Sequence, residues 1–550
     1  MKEIQSVYKF LSFKKIFLII KQNFFSFSLF LFFLFVFLFV NRHFTNLSFL
    51  AVHSADEFAF HGSLLNIFDG LLNAQPSLFF RTGFYAYGFL FFFLNFIVTL
   101  PFLFFSFTEA TIFIPRMVSA MSALGGLWFF FRFSRKYISQ WESALLSLFI
   151  VLMPAFWVNG FIFHPDWPMT LGILAAFFYL AEAMEHPQKI RFVIFSLAFA
   201  CMMKIQAVTF LPILFFYYYQ QEVFSRTFKQ TFIHSRAFGK SLFFIFGSYL
   251  VTNIYLLHPV GFLAFKTAFI DNIVSNATNH GSSHVVSFSE KMIQVIQHFY
   301  VSEWMFLFFF FVILILIFRK SQDHLFRIIA LTFLLNGVYL LFFVNKAWQH
   351  YYLPVIFSGM FLVPLLLRRY IVVKYRVIFI LLLVSLQLGL NYPYLQKAFS
   401  LNQNNALLEM NKNMNREIVH VLSHQIKRTD HFLISPNIGF PFRELGLVYQ
   451  NITTISGPIT LGMIDAAAYE MDLEKRYGQS SIASFRKNLE VSYIILSKRD
   501  VYFDAKRLGD MQDQDGYKRS IELLQQLKNR SIGYEEFYNS DSLIIFRKKI

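Results

Sequence analysis

Two neighbouring stretches decide the fold: residues 24–40 read FFSFSLFLFFLFVFLFV, and residues 53–61 read HSADEFAFH. The first run approaches the roughly 20 apolar residues that cross a bilayer core. Beyond it stand two adjacent carboxylates, Asp56 and Glu57, and two histidines. Charged groups at a membrane boundary are costly unless they face water or serve a function. We therefore interpret the first stretch as a membrane helix and the second as the working part of the loop that follows.

The composition is typical of a polytopic membrane protein. Of 550 residues, 56% are hydrophobic, 79 are phenylalanine and 15% are charged, and apolar runs recur with little polar sequence between them. The formal charge of +17 does not indicate nucleic-acid binding, because the basic residues lie mostly in short loops between apolar runs. Cys201 is the single cysteine, which excludes an intramolecular disulfide and a cysteine-based metal site.

The apolar runs predict about eleven membrane spans. They lie at 24–40, 112–131, 143–160, 167–184, 192–219 (counted as two), 241–257, 303–318, 326–344, 350–367 and 377–391. We interpret 192–219 as two short helices because Lys204 and Pro212 interrupt it, and such residues are tolerated at membrane depth where they line a cavity.

The apolar segment 84–107 decides the sidedness of everything that follows. If it lies on the membrane surface or re-enters, five basic clusters share the side of the N-terminus, as the positive-inside rule requires. The clusters are Arg132/Arg135/Lys136, Lys189/Arg191, Arg226/Lys229/Arg236/Lys240, Arg319/Lys320/Arg327 and Arg368/Arg369/Lys374/Arg376. If it crossed, all five would lie outside. We therefore predict a transmembrane domain at 1–391 with a cytoplasmic N-terminus, an uncleaved first helix and an outer loop one, 41–111, that carries juxtamembrane helices.

After Asn391 the hydropathy falls, and residues 392–550 are interpreted as a soluble extracytoplasmic α/β domain. Short apolar runs at 431–434, 492–496 and 542–546 predict strands, and 520–528 predicts a helix. No glycine-rich phosphate loop is present in this part of the sequence. The predicted fold class is therefore mainly α, a polytopic helical bundle followed by an α/β domain.

Three carboxylates on the predicted outer face are candidates for catalysis. Asp56 and Glu57 could simply cap the helix that begins near Phe58. A partly desolvated carboxylate that faces a cleft can instead accept a proton from a hydroxyl. Asp166, in the sequence His164-Pro-Asp166, has two interpretations. It could be no more than the start of a helix, or it could orient an acceptor or hold a cation.

Cationic and aromatic groups predicted near the same face form the complementary half of a site. They are Arg81, Arg116, Lys204, His350 and Tyr351. Together they suit an anion at the membrane boundary, and a lipid phosphate is the obvious candidate because its head lies at that depth. Lys204 could alternatively extend its ammonium to the interface without any ligand.

A divalent metal is a second hypothesis for the same region. His53, Asp56, Glu57 and His61 have ligand-like spacing, with Glu57 and His61 one helical turn apart, and His164 is a further weak candidate. Histidines of this kind are more often structural, so the sequence assigns no cofactor.

Several short sequence elements, considered in their order along the chain, resemble those of a known superfamily. The elements are Asp56-Glu57, Phe84-Tyr-Ala-Tyr-Gly88, Arg116 to Gly125, Arg132 to Lys136, His164-Pro-Asp166, Lys204 and Tyr351-Tyr-Leu-Pro354. Their order is similar to that of the GT-C superfamily of polyprenyl-phosphate-sugar-dependent glycosyltransferases. The resemblance is to the branch of protein mannosyltransferases and aminoarabinose transferases (family 39), and it covers roughly residues 20–400.

The resemblance implies roles for three residues. Asp56 would be the general base, Arg116 would match the arginine at the start of the second full span, and Tyr351 would contact the donor phosphate. It also implies a first outer loop that is partly embedded in the membrane. The sequence departs from the family pattern at Ala55, before the aspartate, and at His350, beside the tyrosine. The acceptor, whether lipid, glycan or protein, does not follow from the likeness.

The expected function is transfer of a monosaccharide from a polyprenyl-phosphate donor to an acceptor hydroxyl, at the outer face of a bacterial inner membrane and with inversion. The alternatives are a transporter or flippase for a lipid-linked saccharide, an oligosaccharide ligase or polymerase, and a non-catalytic scaffold whose domain 392–550 binds a partner. Flippases tend to have paired repeats with helices broken at the midplane, whereas the polar groups here are predicted to gather on one face.

Overall fold

Most of the apolar runs form helices in the computed structural model. The structure describes residues 24–40, 56–74, 76–80, 87–105, 110–219, 228–278, 286–319, 323–401, 405–435, 438, 440–447, 452–454, 491–498, 525, 527, 529 and 533–549. The helices are α1 (Phe24–Val40), α2 (Asp56–Leu72), α3 (Pro76–Phe79), α4 (Phe89–Phe104), α5 (Ala110–Ser134), α6 (Gln140–Val151), α7 (Pro154–Gly160), α8 (Asp166–Glu185), α9 (Ile190–Met203), α10 (Pro212–Tyr219), α11 (Phe228–Thr252), α12 (Pro259–Thr278), α13 (Phe288–Lys291), α14 (Glu303–Ile317), α15 (His324–Val338), α16 (Gln349–Gly359), α17 (Leu362–Tyr370), α18 (Val373–Leu401), α19 (Asn405–Leu422) and α20 (Phe442–Leu445).

Shorter helical pieces join several of these elements. The 3₁₀ helices are Pro187–Lys189, Ile205–Phe210 and Ile254–Leu257, and the π-helical segments are Met292–Tyr300 and Tyr339–Phe343. Both π-helical segments continue a preceding α-helix. Such wider turns often mark functional regions of a helix.

Five helical segments in the described ranges are long and apolar enough to cross a membrane. They are Ala110–Ser134, Asp166–Glu185, His324–Phe343, Gln349–Tyr370 and Val373–Phe399. The number rises to seven if each of two bent pairs is one span: Gln140–Val151 with Pro154–Gly160, bent by 68°, and Phe288–Tyr300 with Glu303–Ile317, bent by 100°. The mainly α, multi-span fold class is confirmed, and the count of eleven spans stays a prediction.

The interruption predicted inside 192–219 is present. Helix α9 ends at Met203, and Lys204 has an extended backbone with φ −155° and ψ 128°. A 3₁₀ helix follows, and Pro212 then opens α10. Proline suits the first turn of a helix because the amide hydrogen it lacks has no partner there. The chain therefore breaks at the one lysine of this apolar run.

Segment 84–107 contains α4, and residues before and after this helix contact the same region of the protein. Tyr87, just before α4, lies with its ring 5.2 Å from Lys204 Nζ, and Arg116, early in α5, binds Glu57 at the start of α2. Both contacts belong to the connected cluster described below. A chain that crossed a roughly 30 Å bilayer core over α4 would leave these two flanks on opposite sides. A surface or re-entrant position for segment 84–107 stays a prediction.

Helix α8 lies at the centre of the bundle, where it packs against α5, α9 and α16. A Cβ atom added at Gly172 would lie 2.8 Å from the carbonyl oxygen of Ser196, so only glycine lets α8 and α9 approach this closely. Trp167 and Ile173 of α8 are buried in the core. Because α8 is held from several sides, its first residue, Asp166, has a fixed position.

The region after α18 contains a mixed sheet with the strand order β2-β1-β3-β5-β4. The strands are β1 (His431–Ile434), β2 (Ile452–Thr454), β3 (Val491–Ser497), β4 (Tyr534–Asn539) and β5 (Leu543–Lys548). β1 pairs in parallel with β2 and β3, and β5 pairs antiparallel with β3 and β4. The three runs predicted as strands are β1, β3 and β5. The predicted helix 520–528 lies mostly outside the described residues, and α18 continues through the predicted domain boundary at 391/392 to Leu401.

Candidate active site

A buried ion pair fixes the start of α2. Arg116 Nε donates to Glu57 Oε1 at 2.7 Å, and a second guanidinium nitrogen donates to Oε2. Both side chains are fully buried. Glu57 Oε1 also accepts a hydrogen bond of 2.7 Å from the backbone amide of Phe163. The pair therefore joins α2, α5 and the turn between α7 and α8 in one bidentate arrangement.

One turn further along α2, His61 makes a second contact with α5. Its Nε2 lies 2.6 Å from Thr111 Oγ1, and both residues are buried. Burial lowers the pKa of His61 to about 3, so the imidazole is neutral at physiological pH. A neutral imidazole bonded to a hydroxyl is a docking contact, and with the Glu57–Arg116 pair it sets the direction of α2.

The turn between α7 and α8 carries the central polar group of the site. Asp166 is the first residue of α8 and is buried. Its Oδ1 accepts from Lys204 Nζ at 2.7 Å, and its Oδ2 lies 2.5 Å from His164 Nδ1. The carboxylate thus connects the α7–α8 turn to the break after α9.

A glycine brings the end of loop one against this break. The amide of Gly88 donates to the carbonyl of Met203 at 3.1 Å, and Tyr87 forms an isolated antiparallel bridge with Lys204. A Cβ atom at Gly88 would lie 1.8 Å from the carbonyl oxygen of Met202, so no other residue fits. This close approach places the Tyr87 ring beside the lysine.

Lys204 lies between two tyrosine rings. Its Nζ is 5.2 Å from the centre of the Tyr87 ring and 5.1 Å from that of Tyr351, both within cation–π range. The imidazoles of His164 and His350 are 5.3 Å apart between centres. Segment 345–351, which connects the π-helical end of α15 to α16, therefore forms one wall of the cluster.

The same wall carries a second lysine. Lys346 is 1% exposed, and its Nζ lies 4.1 Å above the Trp348 ring. Burial, and next the positive charge of Lys204, lower the pKa of Lys346 from 10.5 to about 8. Two ammonium groups near enough to influence each other favour an anion between them. The described side chains of this region thus include one lysine bound to Asp166 and a second, Lys346, whose charge acts on the first.

The fold and this cluster can be compared with known proteins. Residues 92–248 match the family described as dolichyl-phosphate-mannose-protein mannosyltransferase. ArnT from Cupriavidus metallidurans, solved bound to undecaprenyl phosphate, superimposes with a TM-score of 0.57 and 11% identity, covering 94% of this chain and 97% of that chain. The superposition shows that this chain has the fold of ArnT. Together with the family match over residues 92–248, it agrees with the predicted resemblance to the branch of protein mannosyltransferases and ArnT-type proteins.

Two further solved structures were compared with this chain. ArnT from the same organism in the apo state gives a TM-score of 0.52 at 12% identity, again over 94% of this chain and 97% of that chain. Archaeal AglB from Archaeoglobus fulgidus, solved with an inhibitory peptide and a dolichol-phosphate, gives 0.41 at 12% identity, over 85% and 69%. A comparison with curated proteins found no match. These likenesses agree with the mainly α, multi-pass membrane fold described above.

The structure brings most of the predicted site residues into one connected region. Glu57, Asp166, Lys204, His350 and Tyr351 are joined through the contacts above, with Phe163 and His164 between them. Asp56 is the first residue of α2, and its side chain lies outside the described part, as do His53 and Arg81. The position of the Asp56 backbone follows from its neighbour Glu57, which faces the α7–α8 turn.

Arg116 lies in this region, but its observed partner is Glu57, whereas the sequence predicted contact with a lipid phosphate. Its guanidinium is fully buried and bidentate on Glu57, so a lipid phosphate would have to displace that carboxylate to reach it. This contact favours a role in positioning α2 over direct contact with the donor for Arg116, and favours the same role for Glu57 over proton transfer.

The metal candidates have other partners in the described ranges. His61 bonds Thr111 and His164 contacts Asp166. In those ranges no group of three His, Cys, Asp or Glu side chains is arranged to hold a metal ion. His53 lies outside them. The described residues do not fit a metal, and no step of the mechanism below uses one.

Two residues of the cluster were not chosen from the sequence. Lys346 stands in a short loop between apolar runs, where lysines are common, and the neighbouring Trp348 and His350 are the only local signal that marks it. Tyr87 lies in an aromatic stretch that suits the headgroup boundary of a membrane. Its contact with Lys204 joins residues more than 100 positions apart, and a local pattern does not carry that information.

Proposed function

We propose that this protein transfers a monosaccharide from a polyprenyl-phosphate carrier to an acceptor hydroxyl, with inversion and with Asp56 as general base. One observation carries the proposal. Glu57 is locked to Arg116 and to the amide of Phe163, so the start of α2 stands beside the turn that carries Asp166, whose carboxylate binds Lys204. A carboxylate and a pair of ammonium groups then lie in one region, as a base and an anionic leaving group require.

The reaction needs one bond made and one bond broken. The acceptor oxygen attacks the anomeric carbon while its proton passes to the Asp56 carboxylate. The bond between the anomeric carbon and the phosphate oxygen breaks, and polyprenyl phosphate leaves with the electron pair. A single displacement inverts the anomeric centre. No nucleotide takes part in these steps.

The leaving phosphate gains negative charge as the bond breaks, and Lys204 and Lys346 are placed to stabilise it. Lys204 is held by Asp166 Oδ1 at 2.7 Å and flanked by the Tyr87 and Tyr351 rings. Preorganised donors in a site that excludes water stabilise charge more strongly than water does. Tyr351 and His350 are the other proposed phosphate contacts, together with Arg81, which lies outside the described residues.

The donor class has support from a relative. ArnT from Cupriavidus metallidurans was solved bound to undecaprenyl phosphate, and this chain shares its fold over 94% of its length. We infer a carrier of the same chemical class here. The proposed location is the outer face of a bacterial inner membrane, with residues 392–550 on that side as well. A polyprenyl carrier keeps its tail in the bilayer and its phosphate at this depth.

The direct test uses cells that lack the protein. Mass spectrometry of envelope glycolipids and glycoproteins should show the loss of a single-sugar increment, which names donor and acceptor together. Wild-type protein should restore the increment. Asp56→Asn should reduce transfer by the purified protein about 10²–10⁴-fold, because a general base contributes that much.

A matched control is Asp541→Asn, at an exposed position in the turn between β4 and β5, which should transfer normally. If Asp56→Asn transfers as well as this control, the base assignment is wrong. If wild-type protein moves lipid-linked saccharide across vesicles without forming a new glycosidic bond, the flippase alternative replaces the proposal. Transfer of a preassembled oligosaccharide would instead identify a ligase or polymerase.

A further inference from the structure

Lys291 is buried at the junction between α13 and the π-helical segment Met292–Tyr300, and it is not one of the cluster residues described above. It is 3% exposed. Its Nζ donates to three backbone carbonyls, those of Leu340 at 3.3 Å, Leu341 at 2.8 Å and Val344 at 2.5 Å. All three lie at the end of the π-helical segment Tyr339–Phe343, where the helix stops before segment 345–351.

The chemistry of this contact suits a lysine. A helix end leaves several carbonyls that the following turn cannot satisfy, and the aligned peptide dipoles place negative partial charge there. An ammonium group has three donors and no acceptor, so one lysine can cap three carbonyls. Ser287 and Glu290 form a capping box at the start of α13, which fixes the helix from which Lys291 reaches across.

Asn345 forms a second tie between the same two regions. Its backbone amide donates to the carbonyl of Asn276 at 2.6 Å, and its Oδ1 accepts from the amide of Val286, also at 2.6 Å. Asn276 belongs to α12, and Val286 lies two residues before α13. The first residue of segment 345–351 is therefore held on both its amide and its side chain.

Tyr300 holds the other end of this segment. Its hydroxyl donates to the carbonyl of Gln349 at 2.5 Å, immediately before His350. The Tyr300 carbonyl in turn accepts from Gln387 at 2.6 Å and from Asn391 at 2.8 Å, both on α18. Lys291, directly before the π-helical segment Met292–Tyr300, thus holds the residues that precede segment 345–351, and Tyr300, at the end of the same π-helical segment, contacts Gln349 within it.

We propose that Lys291 is a positioning residue that holds the end of the π-helical segment Tyr339–Phe343, so that segment 345–351 keeps Tyr351 beside Lys204. The inference rests on the proposed function for its consequence in phosphate binding, but not for the clamp itself. The need for a clamp follows from position. Segment 345–351 carries both Lys346 and Tyr351, so a shift of this segment would move both side chains relative to Lys204. A clamp keeps the two ammonium groups in place before the anion binds.

The test compares three variants of the full-length protein in detergent. Lys291→Met keeps the aliphatic stem and removes the donors. Lys266→Met is the matched control, because Lys266 is an exposed lysine of α12. Tyr300→Phe removes only the hydroxyl that bonds Gln349, and it decides the question if Lys291→Met does not fold. Two measurements are made: amide hydrogen exchange without ligand, and affinity for undecaprenyl phosphate.

In Lys291→Met, amide exchange should rise about tenfold or more within residues 339–351 and should stay unchanged in α8, because one tie has been removed locally. The affinity for undecaprenyl phosphate should fall about 10–100-fold, as expected when a binding wall is displaced by about 1 Å. Tyr300→Phe should shift both quantities in the same direction, by about threefold, since a single hydrogen bond is lost. Lys266→Met should match wild type.

Unchanged exchange in residues 339–351 would overturn the proposal. Exchange that rises equally in α8 would also overturn it, because Lys291 would then support stability in general. So would local loosening with wild-type affinity. If wild-type protein itself fails to bind undecaprenyl phosphate, the proposed function fails, and the exchange measurement still decides whether Lys291 clamps the segment.

Discussion

Two charged groups in the same region of the protein are built in opposite ways. Glu57 and Arg116 form a one-to-one pair in which both carboxylate oxygens accept from one guanidinium and both residues are fully buried. Asp166 instead shares its oxygens between Lys204 and His164. A second lysine, Lys346, adds its charge nearby. The first group is a closed pair with a fixed geometry, and in the second a carboxylate is shared between a lysine and a histidine.

The difference separates a charged pair that stabilises the fold, Glu57 with Arg116, from charged groups that suit ligand binding, the lysines near Asp166. A guanidinium is planar and pre-arranged for bidentate binding, whereas an ammonium is a compact charge on a flexible stem whose pKa shifts readily. The arginine pair therefore suits a permanent joint between α2 and α5. The lysines suit an anion that must arrive and leave during each turnover.

The largest expected effect tests the closed pair. Glu57→Gln should destabilise the protein by about 3–5 kcal/mol, because Arg116 would remain buried without its counter-charge. Thermal or chemical unfolding in detergent measures this loss. The control is Glu535→Gln, which breaks a 2.6 Å pair with Arg547 whose partners are 34% and 41% exposed. That change should cost about 1 kcal/mol or less. Equal losses in the two variants would remove the distinction between the regions.

The next effect tests the second group. Lys204→Met should weaken binding of undecaprenyl phosphate about 10²-fold, because it removes one phosphate donor and leaves the Asp166 carboxylate facing the anion. The double variant Lys204→Met with Asp166→Asn should recover part of that loss, since the repulsion is then gone. Titration of lipid phosphate into the purified variants measures both. An affinity of the double variant at or below that of the single variant would show that Asp166 does not act through charge.

Much of this second group could be predicted from the sequence, because its members interrupt apolar runs. Lys204 breaks an otherwise apolar stretch, Asp166 opens a span, and Tyr351 follows a short polar loop. A polar residue at membrane depth has few reasons to be there, so each one carries a strong local signal. The helices, the strands β1, β3 and β5, and the break at Lys204 follow from hydropathy and helix-breaking residues in the same way.

The pairing of Glu57 with Arg116 could not be predicted from the sequence. Glu57 and Arg116 are separated by 59 positions, and each matched a functional role that its neighbourhood suggested: a second acid beside Asp56, and a cation near the outer end of a span. Their pairing depends on how α2 docks on α5, which only packing determines. The tie of Lys291 to residues 340–344 was hidden for the same reason, because backbone carbonyls leave no trace in a sequence.

A smaller effect uses pH to separate the two groups. The ammonium of Lys346, with its pKa lowered from 10.5 to about 8, is present below pH 8 and is lost as the pH rises through that value. Affinity for undecaprenyl phosphate should therefore fall by up to about tenfold per pH unit above 8. Stability should move the other way, because the cost of burying this charge disappears between pH 8 and 10.5.

Lys346→Met provides the control for the pH experiment. Its affinity should already be weak at pH 7 and should lack the decline above pH 8, while Glu535→Gln should keep the wild-type profile. Binding and thermal unfolding are measured on the same samples between pH 7 and 9.5. A wild-type decline that persists in Lys346→Met would assign the titration to another group and would remove Lys346 from the phosphate site.

The smallest effect asks which of the two tyrosines beside Lys204 contacts the phosphate itself. Tyr351→Phe keeps the ring, whose centre lies 5.1 Å from Lys204 Nζ, and removes only the hydroxyl. Its affinity for undecaprenyl phosphate should fall about fivefold, since one hydrogen bond contributes about 1 kcal/mol. Tyr87→Phe, with its ring at 5.2 Å, should match wild type, because only the ring is needed to hold the lysine. If Tyr87→Phe loses affinity and Tyr351→Phe does not, the phosphate lies on the loop-one side of Lys204, and segment 345–351 contributes charge alone.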